Sequence, residues 1–147
     1  MTQVTAPTLK THDKTLGMKA QDVMTQPVIA AGRNTTVRDA AIQMMFGGFS
    51  GMPVAERSGS LVGVVTEFDI IRGILAGKSA ESTTVEEIMT PDVMAVEVDT
   101  PLSEVMQLLE VARILRVPVT KGGKLVGVIS RPDVLRVIIE PNFMEFA

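Results

Sequence analysis

Residues 61–69 read Leu-Val-Gly-Val-Val-Thr-Glu-Phe-Asp, and residues 125–133 read Leu-Val-Gly-Val-Ile-Ser-Arg-Pro-Asp. Each stretch begins as an apolar, largely β-branched run, the composition of a half-buried strand. Each ends in a hydroxyl residue followed three positions later by aspartate, the residue types that favour a helix start. A strand leading directly into a helix, written twice in one chain, points to an internal duplication, which must be read before anything else.

The duplication extends to both sides of these stretches. Asp22-Val23-Met24-Thr25 returns as Glu87-Ile88-Met89-Thr90 at a spacing of 65 residues, and Val28 and Ala30 match Val93 and Ala95. Asp39-Ala40 matches Glu104-Val105, and Pro53-Val54 matches Pro118-Val119, at the same spacing. After a one-residue deletion the spacing is 64, which aligns the two quoted stretches and sets Thr66, Asp69 and Arg72 against Ser130, Asp133 and Arg136. Two copies imply pseudo-twofold packing of similar halves, since an open solenoid needs three or more repeats.

Each copy predicts the same elements. Ala20–Met24 and Val85–Met89 read as short helical turns, and Val28–Ala31 and Val93–Val98 as short strands. Asn34-Thr35-Thr36 and Asp99-Thr100-Pro101 supply helix-start chemistry, the second with a proline tolerated in the first turn. The helices that follow carry apolar residues at helical spacing, Val37, Ala40, Ala41 and Met44 in one copy and Leu102, Val105, Met106 and Leu109 in the other. Gly47-Gly48 breaks the first of them. Met52–Ala55 with Leu61–Val65, and Val117–Thr120 with Leu125–Ile129, predict hairpins turning at Ser58-Gly59 and Gly122-Gly123. Helices over Phe68–Leu75 and Pro132–Ile139 close the copies. The predicted organisation is a polar segment over 1–17, a first domain over 18–76, a connector over 77–83, a second domain over 84–140 and a tail over 141–147.

Composition narrows the function classes. The chain has 147 residues, 46% hydrophobic but only 3% aromatic, so its core is aliphatic and a base-stacking platform for single-stranded nucleic acid is not expected. A net charge of −3 argues against phosphate-backbone binding, and no nucleic-acid partner is expected. There is no cysteine and one histidine, His12, in the polar amino-terminal segment. Neither a metal site nor a nucleophile–base pair is expected from such a set, and no P-loop lysine motif is present. The expectation is a non-enzyme. No apolar run is long enough to span a bilayer and no signal peptide is visible, so a cytoplasmic protein without a membrane partner is expected. Phe143, Met144 and Phe146 form a short apolar end after Pro141, equally suited to packing on their own domain or docking on a partner.

Val23-Met24-Thr25, Pro53-Val54 and Gly63–Asp69, repeated as Ile88-Met89-Thr90, Pro118-Val119 and Gly127–Asp133, resemble the three sequence blocks of the CBS (cystathionine β-synthase-type) domain. The likeness covers about 120 residues. No block is diagnostic alone, but three in order, twice, at nearly constant spacing are specific. The resemblance implies a tandem CBS-domain pair of the α/β (α+β) class. Its two β-α-β-β-α repeats pack sheet to sheet with pseudo-twofold symmetry and leave two clefts for an adenosyl ligand: AMP, ADP, ATP or S-adenosylmethionine, with AMP or ATP foremost. It also implies a homodimer, a regulatory role without a catalytic cofactor, and a regulated protein that the sequence does not identify. The alternative is a constitutive dimeric interaction module with vestigial clefts.

Thr66 with Asp69, and Ser130 with Asp133, are the candidate ribose-binding couples, because an ionised carboxylate accepts two hydrogen bonds and so suits a vicinal diol. The same residues also make ordinary helix caps, and the two roles can coexist. By resemblance the adenine slot is lined by Val28, Ile29, Ala30, Val93, Met94 and Ala95, and closed by Gly51, Met52 and Val117, with Arg116 beside the phosphates. Each of the apolar positions has a plain-core reading too, and Arg116 a surface one. The first copy has Gly51 where the second has Arg116. In the family the basic residue of one repeat lies near the phosphates of the nucleotide held by the other, so the resemblance assigns the more phosphate-demanding cleft to Asp69.

Overall fold

The computed structural model describes Thr15 and residues 17–144; His12 and Phe146 lie outside the described residues. The element order is α1 (Ala20–Val23), α2 (Val37–Gly47), β1 (Gly51–Ala55), β2 (Leu61–Thr66), α3 (Glu67–Leu75), α4 (Val85–Ile88), β3 (Thr90–Pro91), β4 (Val96–Glu97), α5 (Leu102–Ala112), β5 (Arg116–Lys121), β6 (Lys124–Ser130) and α6 (Arg131–Met144). The mixed α/β class is that expected, and each copy shows a short helix, a long helix, a hairpin and a closing helix, but only the second copy has strands, β3 and β4, before its long helix. The strands form two three-stranded sheets, ordered β1-β2-β3 and β4-β5-β6.

Local chemistry explains the boundaries. The Thr36 hydroxyl accepts the Asp39 N–H at 3.1 Å and starts α2, and Gly48, in the left-handed region at φ 70°, ends it. The matching helix α5 starts differently. Pro101 is its capping residue, and the Thr100 hydroxyl is drawn back into the preceding turn, accepting the Glu97 N–H at 3.1 Å. At the far end of α5, Arg113 adopts φ 55°, the position that Gly48 fills in the first copy. Helix α6 runs past Ile139, through Pro141, to Met144.

The first strand of each repeat is shorter than its apolar run. Ala31 alone bridges to β1, its N–H donating to the Pro53 carbonyl and its carbonyl accepting from Ala55 N–H, both at 2.9 Å. In a parallel ladder the next bond upstream would need the N–H of residue 53, and proline has none. Pro118 imposes the same limit on the other sheet, where β4 begins only at Val96, paired with Val119.

Two compact units result, one formed by Val28–Met94 with Gly122–Leu125, the other by the chain through Pro27, Ala95–Lys121 and the chain from Val126. Each is built mainly from one repeat, but the opening segment of each repeat belongs to the unit of the other. In the first-repeat unit, α4 begins alongside α2, with Val85 N–H on the Thr35 carbonyl and Val37 N–H on the Thr83 carbonyl at 2.8 and 2.9 Å. Strand β3 then pairs antiparallel with β2, Thr90 opposite Val64. In the second-repeat unit, α1 begins alongside α5, and Thr25 bridges to Val128 of β6. Neither this pairing nor β3 is visible in the hydrophobic pattern.

Each unit has its own core. Met52, Val54, Val65 and Val85 anchor the first, Leu102, Val105, Val117 and Ile129 the second, and none of the eight is more than 1% exposed. Burial of each such side chain contributes about 1.5–3 kcal/mol. Val85 in one core and Ala20 in the other come from the exchanged segments. Those segments also explain the glycine in each Leu-Val-Gly-Val stretch. A Cβ on Gly63 would lie 2.7 Å from Met89 Sδ and 2.8 Å from the Thr90 carbonyl oxygen; one on Gly127 would lie 2.6 Å from Met24 Sδ. No described helix is long and apolar enough to cross a membrane.

Candidate functional site

In both units the second strand of the hairpin, β2 or β6, passes into a helix without a loop. Thr66 is at once the last residue of β2 and the cap of α3, and Ser130 ends β6 immediately before α6. The carboxylate three residues on is thereby folded back against the strand end. Asp69 Oδ2 accepts the Thr66 backbone N–H at 2.9 Å and its hydroxyl at 3.0 Å, and the Asp69 N–H donates to Thr66 Oγ1 at 3.2 Å. Asp133 Oδ2 accepts the Ser130 N–H and hydroxyl at 2.8 and 2.9 Å. The structure therefore brings each predicted couple together, and does so as a capping box.

Each couple has a further member. Arg72 donates to Asp69 Oδ1 and Arg136 to Asp133 Oδ1, both at 3.1 Å. The two carboxylates are 5% and 6% exposed, while the arginines are largely in solvent. Their spacing from the aspartates, i to i+3 and duplicated, is the sequence signal that could have found them. Among the described residues Asp133 alone has a fourth donor, the Thr25 hydroxyl on Oδ1 at 3.1 Å, contributed by the opening segment. Nothing in the sequence announces a contact across 108 positions. Burial pushes the Asp133 carboxyl up, but the bonds from Ser130, Arg136 and Thr25 outweigh it and hold it below its ordinary value, so it is ionised at neutral pH.

The other predicted residues divide into committed and available ones. Met52 and Val117 are buried in the two cores. Gly51 is paired opposite Thr66, and a Cβ there would come within 3.2 Å of Thr66 Cγ2 and of the Val65 carbonyl oxygen. Ile29, Met94 and Ala95 are exposed, and Val28, Ala30 and Val93 half-buried. Among the described residues no backbone hydrogen bond involves 28–30 or 93–95. Pro53 and Pro118 thus leave apolar side chains and unpaired peptide groups side by side. Among the described residues the link between the first of these runs and β1 is the bridge of Ala31 to Val54, three residues along β1 from Gly51, which faces Thr66.

Arg116 opens β5, and Leu115 next to it accepts the Arg131 N–H at 3.1 Å, as Ser50 accepts the Glu67 N–H at 2.9 Å in the first copy. The corner of the second-repeat unit thus carries Arg113, Arg116 and Arg131 where that of the first carries Gly48, Gly51 and Glu67. A separate open hollow of about 390 Å³ lies at the Leu61 end of β2, away from Thr66, lined by Arg33, Leu61, Val62, Met89, Pro91, Asp92 and Val93. Arg33 is held there by Glu56 and Glu86 at 2.9 and 2.7 Å. Of the predicted lining, only Val93 reaches this hollow. The described residues contain no cluster of three or more metal-ligating side chains.

A family model described as the CBS domain matches residues 20–76 and 85–140. The chain is 32% identical to the protein YlbB of Bacillus subtilis over 116 residues, 78% of each chain. It is similar in structure to CBSX2 of Arabidopsis thaliana, solved in complex with AMP, at a TM-score of 0.75 and 27% identity, covering 86% of this chain and 99% of that one. It is likewise similar to the CBS domain pair of protein MJ0100, solved with 5′-methylthioadenosine and S-adenosyl-L-methionine, at a TM-score of 0.73 and 27% identity, covering 84% and 98%.

Proposed function

Because the chain belongs to the CBS domain family and carries two copies of that domain, we propose that it is a regulatory sensor: it binds an adenosine-containing ligand and does no chemistry on it. The observation that carries this reading is the duplicated corner. In each copy a buried carboxylate and a hydroxyl meet at the end of a strand, and each copy also holds an apolar run whose peptide groups no described neighbour pairs. The carboxylate suits a ribose diol, and the unpaired peptide groups suit the edge of a purine, which apolar walls alone would not orient. CBSX2 and the MJ0100 pair, each over four-fifths covered by the likeness, hold adenosine-containing molecules.

In this reading Thr66, Asp69, Ser130 and Asp133 hold the ribose. Val28, Ile29, Ala30, Val93, Met94 and Ala95 accommodate the base, with Gly51 leaving room beside Thr66. Met52 and Val117 support these walls from the cores. Arg116 supplies charge for a phosphate, which favours AMP or ATP over an uncharged nucleoside. The sensor is a homodimer whose ligand state is read by a separate protein.

A thermal-shift series with AMP, ATP, NADH and S-adenosylmethionine tests the reading, because a ligand that binds only the native state raises its melting temperature. AMP or ATP is expected to raise it, and Asp69→Asn to reduce the shift. Arg116→Ala is expected to weaken AMP about tenfold or more while sparing adenosine, the scale of one charge-assisted hydrogen bond. A melting temperature indifferent to all four compounds would leave the chain an interaction module with vestigial clefts.

A further inference from the structure

We propose that Thr25 gates the second of the two ribose sites: its hydroxyl occupies the last acceptor direction of the Asp133 carboxylate, so the Asp69 couple fills first and the Asp133 couple fills only when Thr25 gives way. This inference rests on the ribose reading of the two couples.

An ionised carboxylate offers about four lone-pair directions. At Asp133 all four are taken, by the Ser130 N–H and hydroxyl on Oδ2 and by Arg136 and Thr25 on Oδ1. At Asp69 three are taken, by the Thr66 N–H and hydroxyl on Oδ2 and by Arg72 on Oδ1. Among the described residues no fourth donor reaches Asp69. Thr90 holds the matching backbone position, opposite Val64 as Thr25 is opposite Val128, yet its hydroxyl makes no bond to Asp69.

A vicinal diol brings two donors. At Asp69 one enters the open direction and the other replaces Arg72, whose side chain is 74% exposed and is rehydrated as it leaves. At Asp133 both Arg136 and Thr25 must be replaced. Thr25 does not drift aside, because its N–H donates to the Val128 carbonyl at 2.8 Å and its carbonyl accepts the Val128 N–H at 3.2 Å. Its hydroxyl leaves by rotation about χ1, with the backbone bridge intact. The extra bond broken is charge-assisted, so the two sites differ in affinity by about ten- to a hundredfold.

Calorimetric titration of the whole chain with adenosine, which carries the diol and no phosphate, is expected to resolve two affinities separated by that factor. Asp69→Asn removes the tighter one. Thr25→Val, which keeps the shape and deletes the hydroxyl, brings the weaker site up towards the tighter, whereas Thr25→Ser and Thr90→Val leave both where they were. A second measurement needs no variant: the Thr25 amide resonance moves with the second equivalent of adenosine and not with the first. Equal affinities in the unaltered chain, a weak site unmoved by Thr25→Val, or a Thr25 resonance that moves with the first equivalent overturns the gate and leaves the ribose reading standing. No adenosine binding at all, or equal binding of 2′,3′-dideoxyadenosine, overturns the ribose reading and the gate with it.

Discussion

At Gly63 the space for a single methyl group is already filled by Met89 and by the Thr90 carbonyl. The oxygen belongs to backbone and cannot swing aside as a thioether can. Gly63→Ala is therefore expected to destabilise the chain by about 1–3 kcal/mol, the usual cost of forcing atoms into a filled site, read as a lower urea midpoint. An unchanged midpoint would mean that Met89 and Thr90 do not lie where described. The sequence showed that this glycine recurs, and that the methionine recurs, without showing that each glycine exists to admit a methionine. The carboxylate couples were legible for a different reason. Their partners are three residues apart, and local geometry alone brings such residues together. Thr25 was not legible, because a contact between distant segments leaves no periodicity behind.

At the level of the element, the helices and hairpins were found where 3.6-residue spacing and turn glycines, both local signals, put them, but α6 runs on past Ile139 to Met144 and α5 lacks the expected side-chain cap. The first strand of each repeat was read too long because a ladder depends on its neighbour. The bond that Pro53 or Pro118 cannot make is written in another part of the chain. The caps of the two long helices show how far the duplicated halves have drifted. Gly48 ends α2 at a left-handed position that costs glycine little, while Arg113 ends α5 in the same conformation with a full side chain. Left-handed backbone costs a non-glycine residue about 1–2 kcal/mol, partly offset in glycine by its extra freedom when unfolded. Arg113→Gly is accordingly expected to stabilise the chain by about 0.5–1 kcal/mol. Chemical denaturation would show it, and a loss of stability would mean that the Arg113 side chain makes a contribution greater than its backbone strain.

For the whole molecule, three exposed apolar residues of each closing helix fall at matching positions in the two copies. Ile71, Ile74 and Leu75 on α3 correspond to Leu135, Ile138 and Ile139 on α6, and all six are exposed. Two equivalent apolar faces of this kind seldom stay in water on a soluble chain. A second copy of the chain is the proposed cover for both, since an isologous contact needs a face that complements itself. Light scattering is expected to give twice the chain mass. Ile74→Glu combined with Ile138→Glu is expected to halve it while the circular dichroism spectrum stays unchanged. A monomeric unaltered chain would remove the homodimer from the proposed function.

The exchanged opening segments have a consequence for how damage to this protein should be mapped. Met24 and Thr25 belong to the first repeat by descent, yet they serve Gly127 and Asp133; Met89 and Thr90 belong to the second, yet they lie against Gly63 and Val64. A lesion near the start of one half is therefore suffered by its sibling. Neither half could have been inherited, trimmed or replaced alone without leaving the other with an open seam.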